Sequence, residues 1–472
     1  MQKTKMIFTI GPASDTEDIL RKFIEIGMSA ARLNFSHGTH ETHKEKIDLI
    51  KKVREDLNSP TAIILDIKGP KIRTHNFVND GVELHEGDDF SFICDDEILG
   101  DNEKCTVSYR DLYKDVKPGG EILVDDGLLR FKIKEINGKE IKCLVTAGGT
   151  IKNHKGVNVP NVKIHLPSIT EKDKEDLIFG CENKIDFVAA SFIRKASDIK
   201  DVRDTLNSHG GDYIQIIAKI ENQEGVDNID EIIEASDGIM VARGDMGVEI
   251  PIEKVPIIQK NIIRKCNEAG KIVITATQML DSMIRNSLPT RAEACDICNA
   301  IFDGTDAIML SGESASGSYP IEAAEMMSRI AVETEANLDY NYLNKRLKEP
   351  SLTSFSEAIS YSACRSSNLL HAKAVVAATN SGATAKLISK YRPKCSIIAI
   401  TPYDEVRRGL NLNFGIHPTK CEVFTTTDEI ISEAKKVATK LSFAEKGEDI
   451  IVAAGMPSAT TGGTNMLKIE KV

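Results

Sequence analysis

Between Ile214 and Pro251 the chain reads IQIIAKIENQEGV and, after a helical stretch, DGIMVARGDMGVEIP. Each segment carries a short apolar run that reads as a buried strand, and each run ends abruptly in charge. The first releases Lys219 and Glu221; the second releases Arg243 and Asp245. Two carboxylates at neighbouring strand ends can hold a hard divalent cation. A lysine beside them can meet the charge on a moving phosphoryl group. These residue types suit metal-assisted phosphoryl transfer. They would serve equally well as surface ion pairs after a strand, so the rest of the chain has to decide.

The elements that would position these residues recur. Apolar runs appear at KMIFTI (5–10), SAARLN (29–34), TAIILD (61–66), DFVAAS (186–191), IQIIAK (214–219), GIMVA (238–242), KIVITAT (271–277) and DAIMLS (306–311). Amphipathic stretches such as DTEDILRKFIEIG and EKVPIIQKNIIRKCNEAG separate them. Such strand–helix alternation predicts a (β/α)8 TIM barrel over residues 1–69 and 167–340. The alternation breaks at 70–166, where short runs with turn punctuation predict an inserted all-β domain, a small β-barrel able to act as a lid. From 341 to 472 a second α/β pattern predicts a doubly wound domain.

In a barrel, strand C-termini face one common mouth. The expected ends supply Thr9, Arg32 with Asn34 and Ser36, Asp66 with Lys68, Ser191, Lys219 with Glu221, Asp245, Thr277, and Ser311 with Glu313. Unrelated surface ion pairs would not gather at the same end of every strand. A shared site follows from the fold.

Composition narrows the setting. A formal net charge of −11 argues against a nucleic-acid partner. No apolar run approaches the roughly 20 residues of a membrane span. The start, MQKTKMIFTI, lacks a signal-peptide apolar region and leads straight into a strand. Ten scattered cysteines do not form a disulfide framework. A reducing, cytoplasmic compartment is expected.

The chain resembles the pyruvate kinases. The matching segments include TIGPAS (9–14), ARLNFSHG (31–38), LDIKGPKIRT (65–74), KGVNVP (155–160), ASFIRKA (190–196), IIAKIEN (216–222), MVARGDMGVEIP (240–251), ITATQMLDSMI (274–284), PTRAEACDICNAIFDGTDAIMLSGESA (289–315) and YRPK (391–394). They run in the family's order and span essentially the whole chain. The resemblance implies transfer of a phosphoryl group from phosphoenolpyruvate to ADP, giving pyruvate and ATP.

It also implies residue roles. Glu221 and Asp245 would bind Mg²⁺ (or Mn²⁺), and Lys219 would stabilise the transferring group. Arg32 and Arg73 would hold phosphates, while Gly244, Asp245 and Thr277 would hold the substrate carboxylate. Arg73, Lys155, Asn34 and His37 would face the nucleotide. Asn34, Ser36, Asp66 and the Ile67 carbonyl match a monovalent-cation site. K⁺-dependent members usually carry glutamate where Lys71 stands and threonine where Ile67 stands, so K⁺ is expected to be dispensable here. The loop Thr379, Asn380, Ser381, Gly382, Ala383, Thr384 would bind a phosphorylated effector. Asn380 replaces the lysine of many fructose-bisphosphate-responsive members, and MPSATTGGT (456–464) has no arginine. AMP or a sugar monophosphate fits that pattern better. A homotetramer is implied as well.

Three motifs compete with bland readings. His37, His40 and His43 could suggest a metal face, but no acidic or cysteine partner has fixed spacing to them. An exposed helix start capped by Thr39 or Thr42 is expected instead. Cys295 and Cys298 form a lone C-x-x-C on a helical segment, which reads as two packed core thiols. No G-x-x-x-x-G-K-[ST] occurs, so a P-loop is absent. A Mg²⁺-dependent lyase or aldolase would need neither the insert nor Lys155. A catalytically dead sensor would have no use for Lys219, Glu221, Asp245, Thr277 and Arg32.

Overall fold

The structure, a computed structural model, describes residues 2–160, 162–340, 343, 354–455 and 463–472. The eight expected runs become eight parallel strands: β1 (Lys5–Thr9), β2 (Met28–Asn34), β3 (Ala62–Asp66), β4 (Phe187–Ala190), β5 (Gln215–Ile220), β6 (Gly238–Ala242), β7 (Ile272–Ala276) and β8 (Ala307–Leu310). They pair in chain order and close into a barrel, with β8 beside β1. The strands are apolar on both faces, as a parallel sheet covered by helices requires. Ile7, Ala30, Ile64, Phe187, Ile217, Met240, Ile274 and Met309 fill the interior. Their neighbours Phe8, Ala31, Leu65, Val188, Ala218, Val241, Val273 and Ile308 face the helices. Leu412, from the C-terminal unit, joins the interior cluster.

The chain leaves the barrel after β3 and returns before β4. Between them lies a six-stranded sheet in the order Val157–Asn158, Glu121–Val124, Leu129–Asn137, Glu140–Ala147, Asp89–Ile93, Lys104–Thr106. A two-stranded pair, Gly81–Leu84 with Gly149–Lys152, accompanies it. Gly138–Lys139 makes the tight hairpin at its longest pairing, with Gly138 at φ +60°. The insert is not wholly β: Leu112–Asp115 forms one helical turn, packed through buried Leu112.

The C-terminal unit has five strands in the order Ile416–Lys420, Ser396–Thr401, Ala374–Ala378, Asp449–Ala454, Met466–Lys471. The last is antiparallel. Alternate residues bury on opposite faces. Val376, Ile398 and Val452 pack with the helix Thr427–Lys440, whereas Val375, Ile397 and Ile451 face the other side with Ile388 and Ala363. The sheet is thus doubly wound. The expected boundary at 341, and the loop 456–464 apart from its last two residues, lie outside the described residues.

Two expectations about motifs fail in part. Thr39 does cap the helix His40–Asp56, and its hydroxyl accepts the Thr42 N–H. Yet His43 is buried rather than exposed, stacked on Phe35 with ring centroids 3.9 Å apart. Helical spacing puts it on the inner face beside Ile47 and Ile50. Burial lowers the pKa of its imidazole. Cys295 is exposed and Cys298 half-buried, because the packed face of Arg291–Asp303 runs through Ile297, Ala300 and Ile301. They are not core thiols.

Candidate active site

At the C-terminal mouth the ends of β1 to β5 form one connected network. The Lys219 ammonium donates to Ser191 Oγ at 2.6 Å and to Asp66 Oδ1 at 3.1 Å, and lies 3.1 Å from Glu221 Oε1. The other oxygen of Asp66 accepts from Arg32 Nε at 2.6 Å, and Arg32 Nη1 donates to Thr9 Oγ1 at 3.0 Å. All these groups are buried or nearly so. Burial by itself would raise the Asp66 pKa, but Arg32 and Lys219 hold it down. Burial would likewise lower that of Lys219, but Asp66 and Glu221 raise it. Lys219 is therefore a permanent cation at neutral pH.

Glu221 behaves differently. Burial raises its pKa, and Asp245 pushes the same way against the pull of Lys219. Its Oε2 accepts the Phe192 N–H at 2.7 Å. Phe192 has φ +57°, an uncommon backbone for a bulky residue, and this conformation accompanies the bond to Glu221. Asp245 is the outward member, its side chain 36% exposed. The structure carries no metal, but the pair fits one. Two mutually repelling carboxylates of this kind suit a hard cation that fills its other positions with water and substrate oxygens. Among the described residues no group of three His, Cys, Asp or Glu could do so alone.

Lys71 comes from the outgoing arm of the insert. Its ammonium lies 3.3 Å from Asp245 Oδ1 and 3.4 Å from Asp126 Oδ1. Burial disfavours its charge, but Asp245, Asp126 and Glu221 raise its pKa overall. Arg73 and Lys155, expected on the nucleotide side, bond to groups of the insert itself. Arg73 Nη1 donates to the His154 carbonyl at 2.8 Å, and Lys155 to Asp125 Oδ1 at 2.9 Å.

Thr277, just past β7, has φ +68° and is followed by Gln278 at φ +54°. Left-handed backbone at a β-branched residue is strained, and such strain gathers at functional sites. The Thr277 hydroxyl accepts the Gly244 N–H at 2.8 Å and donates to the Ala276 carbonyl at 2.6 Å. Arg243 does not join Asp245. It turns to Asp296 at 2.6 Å and donates to the Ala276 and Thr277 carbonyls. The Glu313 carboxylate accepts the Leu280 and Ser311 N–H groups, so it braces loops. The matched monovalent-cation residues are internally engaged: Asn34 Oδ1 accepts the Ser36 N–H, and Ser191 Oγ donates to the Ile67 carbonyl. The His37 carbonyl accepts from His43 Nε2 at 2.8 Å.

Sequence reasoning missed Phe192, Glu249 and Asp173. Glu249 accepts Asn158 Nδ2 at 2.6 Å, linking the barrel to the returning arm of the insert. Asp173 carried a signal, the capping-box spacing Thr170-x-x-Asp173; Phe192 and Glu249 act through backbone shape and across elements, which no spacing rule marks.

An eight-stranded barrel with a cation–carboxylate cluster at its mouth defines a phosphotransferase-type site. The family described as "Pyruvate kinase, barrel domain" matches residues 1–324, and "Pyruvate kinase, alpha/beta domain" matches 357–470. The chain belongs to the pyruvate kinase family. It is 70% identical to the pyruvate kinase of Clostridium perfringens (strain 13 / Type A), over the full length of both chains. It is 57% identical to that of Clostridium acetobutylicum, again over both full lengths. A crystal structure of a pyruvate kinase from Cryptosporidium parvum superposes with a TM-score of 0.95 at 40% identity, covering 100% of this chain and 96% of that one. Among the described residues, no helix is long and apolar enough to cross a membrane.

Proposed function

We propose that the protein transfers the phosphoryl group of phosphoenolpyruvate to ADP, yielding pyruvate and ATP, at the mouth formed by Arg32, Asp66, Lys219, Glu221, Asp245 and Thr277. The observation that carries this reading is the Lys219 ammonium, held by three side chains from three strands and set beside the Glu221–Asp245 pair. A loose phosphoryl transition state asks for positioning and charge neutralisation, and these residues supply both. Lys219 faces the moving group. Arg32 and Arg73 hold phosphate oxygens, and the Thr277 loop with Gly244 and Asp245 receives the substrate carboxylate. Mg²⁺ held by Glu221 and Asp245 would neutralise charge shared between the two substrates. Arg73, Lys155, Asn34 and His37 form the nucleotide side. The units divide at 1–69 with 167–340, at 70–166 as the lid, and at 341–472. The active protein is a homotetramer in the cytoplasm. ATP formation from phosphoenolpyruvate, ADP and Mg²⁺ tests the reading; a purified folded protein that forms none overturns it.

Turnover should not require K⁺. Lys71 already places a cation against Asp245. At ~4 Å a unit charge is worth about 1 kcal/mol in water and about 4 kcal/mol in a partly dry site. Activity with Mg²⁺ in tetramethylammonium buffer should rise by less than about tenfold on adding KCl at constant ionic strength, a limit of roughly 1.4 kcal/mol of barrier. Larger activation contradicts the role given to Lys71. Lys71→Glu would set a third carboxylate beside Asp245 and Asp126, and should make turnover K⁺-dependent.

The effector loop lines a cavity of about 180 Å³. Thr379 Oγ1 accepts the Gly382 N–H at 2.9 Å, and Gly382 turns at φ +87° into the helix Ala383–Lys390. Asn380 and Ser381 are exposed where they line the cavity, whereas Thr384 is buried against Thr464 at 2.7 Å. These features support binding of AMP or a sugar monophosphate. Ser381→Glu should raise the activation constant for AMP and for glucose 6-phosphate by at least about tenfold through like-charge repulsion, with basal turnover within twofold. Unchanged activation by either would remove the loop from effector binding.

A further inference from the structure

The lid is joined to the barrel by two arms, one leaving through Lys68–Gly69 and one returning through Ser168–Thr170. Both end on a single carboxylate. Asp173 is completely buried in the first turn of the helix Glu171–Glu182. Its Oδ2 accepts the Thr170 N–H at 2.8 Å and the Thr170 hydroxyl at 2.6 Å. The first of these is half of a capping box, completed by the Asp173 N–H donating to Thr170 Oγ1 at 3.1 Å, and a capping box needs only one oxygen of the residue at that position. The second oxygen does something else: Oδ1 accepts the Gly69 N–H at 3.0 Å.

Gly69 is a demanding place to be held. It sits at φ +70°, and a Cβ there would come within 2.8 Å of the Ser191 Cβ. Ser191 is the residue whose hydroxyl accepts from Lys219. The outgoing arm is therefore pressed onto the end of β4 at the catalytic network. Two residues on, Lys71 reaches Asp245; four residues on, Arg73 enters the lid. The returning arm is gripped upstream as well, because Arg194 donates to the Ile164 and Leu166 carbonyls at 2.6 Å each.

We propose that Asp173 is a positioning residue for the phosphoryl transfer, latching both arms of the lid so that Lys71 and Arg73 are delivered in register with the barrel network. The proposal rests on the lid and nucleotide roles given above. A cap alone would stabilise the helix. A latch on both arms also sets where the lid-borne cations stand, and small misplacements of such groups cost up to about a hundredfold in rate.

The test compares two variants of the full-length protein. Asparagine has one acceptor oxygen, so Asp173→Asn can cap Thr170 or hold Gly69 but not both. It should raise KM for ADP or lower kcat by about tenfold or more, with KM for phosphoenolpyruvate within about threefold. Thr170→Val removes the capping hydroxyl and leaves the Gly69 bond in place. It should lower the melting temperature but keep both kinetic constants within about twofold. Equal kinetic losses in the two variants would reduce Asp173 to a helix cap and overturn the proposal. Should Asp173→Asn fail to fold, hydrogen exchange of the unmodified protein decides. The Gly69 amide should be protected like a helix interior; exchange at the rate of an open loop overturns the latch. The exchange measurement stands even if the protein formed no ATP from phosphoenolpyruvate, so failure of the latch and failure of the assigned reaction are separable.

Discussion

Replacing Lys219 with methionine is expected to lower kcat by about 10² to 10³, equivalent to roughly 3–4 kcal/mol, while KM for phosphoenolpyruvate changes by only a few fold. The reason lies in when the charge is needed. In the resting protein the ammonium is balanced by Asp66 at 3.1 Å and Glu221 at 3.1 Å. It has little uncompensated charge to offer a bound substrate. When the phosphoryl group loosens and negative charge spreads over its oxygens, a fixed cation in a water-poor site gains most. Methionine has similar length and no charge, so it also leaves Asp66 with Arg32 alone and Glu221 without its nearest cation. Truncating one partner of a buried pair costs stability, and a lower melting temperature should accompany the kinetic loss. Affinity for Mg²⁺ or Mn²⁺ should be preserved or improved, because the nearest competing cation beside Glu221 is gone. An unchanged kcat with a raised KM would show that Lys219 only binds substrate.

Much of this site was legible in the sequence because strand ends are legible. The runs IQIIAK and GIMVA, apolar on both faces, fixed β5 and β6 and so the facing of Lys219, Glu221 and Asp245. The contacts between strands were not legible. That Asp66 bridges Arg32 and Lys219 depends on the registers of β2 with β3 and of β3, β4 and β5 together. No local pattern encodes those registers. Arg243 and Asp245 leave the same strand end with only Gly244 between them, yet they do not pair. The tight turn into Arg243–Glu249 sends the arginine side chain to Asp296 instead. Burial was misread at His43 and Cys295, where a helix's inner face was inferred from residue type before its phase was known. Backbone strain at Phe192 and Thr277 has no composition signal at all, since neither residue type favours positive φ.

Glu221→Gln should abolish Mg²⁺-dependent turnover, a loss of at least about a thousandfold, and leave the fold intact. The substitution is nearly isosteric. Its carbonyl oxygen can still accept the Phe192 N–H, so the strained turn after β4 keeps its anchor. It also removes the repulsion between Glu221 and Asp245 that raises the Glu221 pKa alongside burial. The metal-free variant should therefore melt within a few degrees of the unaltered protein. What it cannot do is present two anionic oxygens to one cation. Asp245 alone, already shared with Lys71, is a weak ligand with no fixed geometry. Excess Mg²⁺ or Mn²⁺ should rescue little, because concentration can restore occupancy but not the direction from which the charge acts. Lys219 would meanwhile stay balanced by Asp66, so a loss of activity in this variant reports on the metal and not on the lysine. The two substitutions should separate cleanly in a Mn²⁺ titration followed by electron paramagnetic resonance. Lys219→Met should bind the ion and turn over poorly; Glu221→Gln should bind it at least about tenfold more weakly, a cost of roughly 1.4 kcal/mol or more. Full activity of Glu221→Gln at ordinary metal concentrations would take Glu221 out of the metal site and leave Asp245 without its partner.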